Sequence, residues 1–337
     1  MTNEIKFENV GNETYVIETY YLNRTRFTAC FLVEDQGEVA IIETNTNYAV
    51  PYILGTLEQL GLAKEQVKYV ILTHVHLDHA GGAGALMKHL PNAKTILHPR
   101  GKKHIIEPEK LIESVKEVYG PEKYLELYGD IIPIPKEKVI IADDEAVFRL
   151  GSRDMQMFHL RGHAKHHMVV HDKTSGVVFS GDNFGIGYPR LDFGNIRMVF
   201  ASTSPTQFEP EEALATYTKI AGLNPTGVLL THYGLLRDID GTHQQLKSWI
   251  EFSVNIAEKR YDEGYREKEL DKILEEDIWA HFDELIKNAR GTGITPEERE
   301  WLALDSQLNA QGLAFYIHKL RTDANPNTNT NPDTNPS

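Results

Sequence analysis

Short apolar runs separated by polar turns fill the first two thirds of the chain, and long amphipathic stretches fill the rest. Tyr15 to Tyr21, Phe27 to Val33 and Val39 to Glu43 are rich in aliphatic and aromatic residues and read as strands, with Asp35-Gln36-Gly37 as a hairpin turn. Tyr48 to Leu60 has apolar residues at helical spacing and stops at Gly61, a suitable C-cap. Tyr69 to Leu72 is a short β-branched run typical of a buried strand; Ala83 to Leu90 then reads as helix and Lys94 to His98 as strand. Residues 100–135 carry a helical period interrupted at Gly120-Pro121, which predicts two inserted helices that either pack on the body or act as a lid. Strand patterns resume at Val139 to Ile141, Ala146 to Leu150, Met155 to Leu160, Gly176 to Phe179 and Gly227 to Leu230, with a helix expected over Glu209 to Ala221. His243 to Tyr261, Lys268 to Ala289 and Pro296 to Leu320 are long, charged and periodic, and predict three helices that pack on the core or supply a homodimer surface. The expected boundaries are a catalytic domain at 1–240 with the insertion at 100–135, a helical region at 241–321, and a disordered Asn/Thr/Pro tail at 322–337.

Composition narrows the class. A chain of 337 residues with 41% hydrophobic residues can bury a substantial core, and no stretch approaches the roughly 18 apolar residues of a membrane span. The opening MTNEIKFENV lacks a basic region followed by an apolar one, and the lone cysteine, Cys30, has no internal partner; both favour a cytoplasmic location with no membrane partner. Cys30 lies in an apolar run and reads as an inert core thiol. A net charge of −14 without a dense basic run argues against nucleic acid as partner and favours a small or neutral substrate.

The chemistry concentrates in Thr73-His74-Val75-His76-Leu77-Asp78-His79-Ala80-Gly81-Gly82. Alternate side chains of an extended segment share a face, so His74, His76 and Asp78 can point one way while His79 turns elsewhere as a helix begins. Two directions suggest two metal ions. Imidazole and carboxylate donors suit zinc, manganese or iron, and the lack of thiolates argues against a closed structural zinc site.

This stretch resembles the signature of the metallo-β-lactamase superfamily, His-x-His-x-Asp-His after a buried strand. Gly162-His163, Ser180-Gly181-Asp182 and Thr231-His232-Tyr233-Gly234 follow in the family's order, so the resemblance covers about residues 15–235. It implies a four-layer αββα sandwich with the helical insertion and an α-helical C-terminal extension. It further implies two divalent metal ions, zinc first, with iron or manganese as alternatives. His74, His76 and His163 would hold one ion, Asp78, His79 and His232 the other, and Asp182 would bridge them. The implied activity is binuclear hydrolysis of a small-molecule ester, thioester, lactone or phosphodiester by a metal-bridging hydroxide, with Asp78 as the catalytic carboxylate. Tyr188 and His167 are expected near the substrate, His167 more as a group that orients a ligand. Glu43-Thr44-Asn45-Thr46-Asn47 stands where many relatives have an Asp-containing turn and is expected to form a polar rim. Lys165 and His166 replace the small residues usual in the glyoxalase II group. The alternatives are an iron-dependent oxidoreductase on the same frame, persulfide dioxygenase-like or diiron, and a non-catalytic metal-binding protein. His76 stands where diiron oxygen reducers usually carry a carboxylate, which favours hydrolysis.

Overall fold

The computed structural model describes residues 4–203 and 205–323, which divide into two compact units. The first runs up to Ala201 and includes Glu211–Lys247; the second comprises Ser202–Pro210 and the chain from Ser248 onward.

Two mixed sheets form the body of the first unit. Strands β1 (Phe7–Gly11), β2 (Thr14–Glu18), β3 (Ala29–Asp35), β4 (Glu38–Ile42), β5 (Val67–Ile71), β6 (Lys94–Leu97) and β7 (Val139–Ile141) lie in sequential order. The first four are antiparallel neighbours and β4 to β7 run parallel. The second sheet contains β8 (Val147–Leu150), β9 (Arg153–His159), β10 (Met168–Asp172), β11 (Val177–Gly181), β12 (Gly227–Leu230) and β13 (Gly234–Leu236), and its order from one edge is β13-β12-β11-β10-β9-β8. Only β11 and β12 are parallel in it.

Side-chain alternation explains the layering. Along β3, Ala29, Phe31 and Val33 join an apolar layer with Met155, Met157, Met168, Val170, Phe179 and Leu229 of the second sheet. Cys30 and Leu32 point the other way, into a layer with Val50, Ile53 and Leu57 of helix α1 (Val50–Gln59). Phe31 meets Phe179 edge-on across the sheets at 5.4 Å, and burying each such ring contributes roughly 1.5–3 kcal/mol. Cys30 is fully buried and its thiol is pushed well above its ordinary range by burial, an inert position. The hairpin at Gln36 and Gly37 has both residues at positive φ, 53° and 81°, as a type I′ turn requires.

Helices α2 (Leu77–Ala80) and α3 (Ala83–Met87) follow β5. The insertion holds three helices where two were expected: α4 (Lys102–Ile106), α5 (Glu109–Tyr119) and α6 (Pro121–Tyr128). The Gly120-Pro121 break falls between α5 and α6, with Gly120 at φ 79° and Pro121 opening the next helix. Tyr48 Oη donates to Leu125 O at 2.7 Å and Asn47 to Asp130 O, tying the insertion to the turn after β4. Helix α7 (Pro210–Gly222) covers the outer face of the second sheet, where Lys219 lies 5.2 Å over the Phe158 ring and Tyr217 meets Phe184 at 6.2 Å. No helix among the described residues is long and apolar enough to cross a membrane.

The second unit is helical. It holds the later part of α8 (Ile239–Asp262), together with α9 (Glu267–Arg290) and α10 (Pro296–Asp323). Leu270, Leu274, Ile278, Phe282 and Ile286 recur every four residues along α9 and are buried, and Trp249 of α8 stacks near Phe282 at 4.8 Å. Helix α10 continues to Asp323, two residues into the stretch expected to be tail, because Thr322 bonds back to His318 O at 2.8 Å. The rest of that tail, 324–337, lies outside the described residues.

The start of α10 is a capping box. Glu298 N donates to Thr295 Oγ1 at 3.2 Å and Thr295 N donates to Glu298 Oε2 at 2.9 Å, with Pro296 as first helical residue. Arg290 grips the same carboxylate with both terminal nitrogens, at 2.6 and 2.5 Å, and this bond holds the Glu298 carboxyl below its usual range against the opposing effect of burial. Thr295→Ala is expected to cost about 1 kcal/mol, read as faster amide hydrogen exchange in the first turn of α10. Because the carboxyl is depressed in the folded chain, its contribution is complete above the ordinary glutamate range and disappears as pH falls through the folded value. The same exchange measurement in Glu298→Gln should show no such acid loss.

Candidate metal centre

The parallel strands aim their carboxyl ends at one place. Strands β4 and β5 of the first sheet deliver Glu43 and the segment His74 to His79; β9, β11 and β12 of the second deliver His163, Asp182 and His232. Clefts beyond the carboxyl ends of parallel strands are the usual ligand sites of such sheets. Two backbone bonds join the sheets at this edge, Ala29 N to Thr231 O and Met168 N to Thr73 O, both 2.8 Å.

The side chains meet in two groups, linked by a third close set of Glu43, His74 and His79 that shares one histidine with each. His74, His76 and His163 form one, Asp78, His79 and His232 another, and within each the donor atoms lie within 4.8 Å of one another. In the first, His76 Nδ1 is 3.0 Å from both His74 Nε2 and His163 Nε2. In the second, Asp78 Oδ2 is 3.4 Å from His232 Nε2 and 3.8 Å from His79 Nε2. Asp182 divides its oxygens between them: Oδ2 is 3.5 Å from His163 Nε2, while Oδ1 is 3.3 Å from His79 Nε2 and 3.7 Å from His232 Nε2. All seven metal-ligand candidates from the sequence are thus brought together. Extended backbone ends at His76 and α2 begins at Leu77, so Asp78 leaves the face it was expected to share with His74 and His76 and sits with His79 in the first helical turn.

Hydrogen bonds set which ring nitrogens are open. His232 Nδ1 lies 3.2 Å from Phe27 O, so this nitrogen carries the proton and Nε2 presents a lone pair to the centre. His79 Nδ1 lies 3.6 Å from Glu43 Oε2, an ion-pair separation too long for a hydrogen bond. Both ring nitrogens of His79 and Asp182 Oδ1 are buried with no hydrogen-bond partner among the described residues. Converging lone pairs and orphaned buried donors and acceptors are the environment a divalent cation completes, and the nitrogen and oxygen set fits zinc, manganese or iron.

Burial, then the neighbouring imidazoles, hold His74 and His76 well below the ordinary imidazole value, so both are neutral. Burial acts the same way on His79, yet the carboxylates of Asp182, Asp78 and Glu43 outweigh it and raise His79 well above that value. Burial would raise Asp182, but the surrounding His79, His232 and His163 keep it well below the carboxylate range. Without a cation, a proton on His79 balances these acids.

Glu43 departs from its expected place. It is fully buried, not a rim residue, and its Oε1 accepts from Thr73 Oγ1 behind His79. The signal available in the sequence was a carboxylate closing an apolar strand one position before a run of turn residues. Gly82 shows why that turn is so close: a Cβ there would stand 2.6 Å from Thr46 O and 2.7 Å from Thr44 O. His167 also lies behind the ligands. Its ring stacks on His74 at 4.6 Å, with Nε2 3.3 Å from Asp182 N and Nδ1 2.9 Å from Asn183 Nδ2, so it supports ligands and does not face a substrate. Gly181 makes room for it, since a Cβ there would come within 2.6 Å of His167 Nε2. Tyr188, expected as a substrate contact, has no exposed surface; its ring stacks on Phe27 at 4.8 Å and meets His232 edge-on at 6.3 Å. Aromatic packing against the His232 imidazole takes the place of that contact.

Two packed mixed sheets with a His/Asp cluster suited to metal at their shared edge define a protein of the αββα sandwich class. Residues 23–202 match the family model of the metallo-beta-lactamase superfamily, and the chain belongs to that superfamily. Over 198 residues it is 27% identical to a metallo-beta-lactamase fold-containing protein of Sulfurisphaera tokodaii, covering 57% of this chain and 71% of that protein. It is 26% identical over 159 residues to a hydroxyacylglutathione hydrolase of Aeromonas hydrophila, covering 47% of this chain and half (50%) of that enzyme. Among solved structures, a metallo-beta-lactamase family protein of Thermus thermophilus superposes with a TM-score of 0.61 at 19% identity, over 94% of this chain and 95% of that one.

Metal uptake should release protons, because a cation must displace the one held on His79; calorimetry in buffers of different ionisation enthalpy measures the number, and affinity should fall as pH is lowered. His163→Ala and Asp182→Ala should each lower bound metal per chain by elemental analysis while circular dichroism stays native-like. Glu43→Gln should weaken metal affinity by roughly 10–100-fold.

Proposed function

We propose that this chain is a binuclear metal-dependent hydrolase of a small-molecule acyl compound, an ester or thioester. The observation that carries the reading is the division of Asp182 between the two ligand groups, one oxygen toward His163 and the other toward His79 and His232. A carboxylate so placed suits a two-ion centre. Similarity to a hydroxyacylglutathione hydrolase supports acyl compounds within the wider range of substrates open to this constellation.

His74, His76 and His163 would hold one ion and Asp78, His79 and His232 the other. When bound, the ions act as Lewis acids and depress the pKa of water enough to supply hydroxide near neutral pH. The protein's own part is positioning and proton handling. Neutral His74 and His76 keep their lone pairs free, the Phe27 carbonyl holds His232 in the ligating tautomer, the Glu43 carboxylate sits beside His79, and the packed sheets fix the spacing. Asp78 has the most open side chain of the two ligand groups' carboxylates, 29% exposed against 7% for Asp182. Its backbone is anchored by Asn45 Nδ2 donating to Asp78 O at 3.0 Å. That combination of accessibility and rigidity suits it to orient the attacking water and accept its proton.

Protein loaded with zinc or manganese should bind two ions per chain and hydrolyse p-nitrophenyl esters or acyl thioesters. Chelation should abolish turnover and metal addition should restore it. Asp78→Asn should lower kcat by about 10²-fold or more. Native protein carrying a single iron, with no hydrolysis in either metal form, would overturn the reading and favour an oxidoreductase.

A further inference from the structure

A second row of imidazoles leads from the metal centre to the inserted helices. The His166 ring lies 5.4 Å from His76 and 6.1 Å from His74 on one side, and 6.2 Å from His104 of α4 on the other. Near it, His98 at the end of β6 stacks obliquely on His159 at 4.1 Å. The last two are occupied: His98 Nδ1 accepts from Arg100 N at 3.0 Å and His159 Nε2 meets Ala142 O at 2.9 Å. His166 is different. It is 8% exposed, and its Nδ1 is buried with no hydrogen-bond partner among the described residues. A buried ring nitrogen left unpaired is costly, and an acceptor brought from outside the chain would remove that cost.

The surroundings indicate the charge of that group. Although the chain carries −14 overall, Arg100 and Arg161 stand near His98 and Lys103 stands near His104. Lys103 acts on His104, and Arg100 and Arg161 act on His98, each adding to the effect of burial in pushing the imidazole below its ordinary value. The acid that faces them, Asp144, is already engaged by the backbone N–H groups of Glu145 and His159. Arg100, Arg161 and Lys103 outnumber Asp144 around these two rings, so the local field is positive where the chain average is negative. Two imidazoles 6.2 Å apart also offer two N–H donors, the number that the two oxygens of one carboxylate accept.

We propose that His166 and His104 form a subsite that receives a carboxylate carried by the substrate, on the insertion side of the metal centre. The proposal rests on the hydrolase reading above and deepens it: the acyl compound bears an anionic substituent, and the insertion, through α4, selects for it. His166 and His104 are specificity residues and take no part in bond cleavage.

The test pairs two slowly reacting amides, glutaranilic acid, which carries the carboxylate, and N-phenylglutaramide, its neutral counterpart. Each is titrated by calorimetry into metal-loaded protein. The wild-type chain should bind the acid about tenfold more tightly, and this ratio should fall to about one in His166→Gln and in His104→Ala, with bound metal unchanged by elemental analysis. No preference in the wild type, or a preference retained in both variants as direct coordination of the carboxylate by metal would leave it, overturns the subsite. His104 is half-buried on a short helix, so its variant gives the answer alone if His166→Gln does not fold. The corresponding p-nitrophenyl esters, glutarate and butyrate, are assayed in parallel. Discrimination between the amides without turnover of either ester would sustain the subsite and reject the hydrolase reading.

Discussion

The constraint on which the rest of this structure depends is the burial of Asp182, Glu43 and the imidazoles around them in a place that water barely reaches. An isolated carboxylate in such surroundings would be protonated or expelled. Here Asp182 is kept ionised by His79, His232 and His163; the Phe27 carbonyl orients the His232 ring, Glu43 faces His79, and His167 packs on the neighbouring His74. Each group is tolerable only because the others are present. The same carboxylates raise His79 well above the ordinary imidazole value, which favours a proton there when no cation is bound.

The sandwich exists to hold that arrangement. Its inter-sheet layer of Phe31, Ile42, Ile71, Met157, Phe179 and Leu229 is wholly apolar, so the strands have no freedom to slide, and a shift of one residue would turn every core side chain outward. Polar chemistry is displaced to the carboxyl ends, where loops leave the parallel strands. Within this scheme Glu43 and Thr73 act as a layer between core and site. They are fully buried, bonded to each other, and set against His79, so a change there reaches the ligands without touching a substrate.

Two departures from a minimal frame lie beside the first ligand group. The insertion brings α4 beside the first ligand group, and Lys165 and His166 stand in the turn after His163 where the glyoxalase II group was expected to have small residues. These positions add basic side chains to a generally acidic protein. Substrate choice in a shared fold resides in such grafted features, since the frame itself serves many reactions.

The convergence of the seven candidate side chains was legible in the chain because its determinants are local: a buried β-branched strand, an extended His-x-His step and turns after three further strands bring them to the same sheet edge. Strands β2 to β6 and helices α7 to α10 were legible for the same reason, their periods being written in consecutive residues. What only the tertiary structure decided were properties that depend on residues far apart. Asp78 changes faces because the backbone turns helical at Leu77; Glu43 is a support and not a rim because β5 and α2 close over it; Tyr188 is packing and not a contact because Phe27 lies on its ring. His166 passed as an oddity of composition until α4, some sixty residues earlier in the chain, was seen to stand beside it. Burial and charge are sums over neighbours in space, and the order of residues along the chain does not carry those sums.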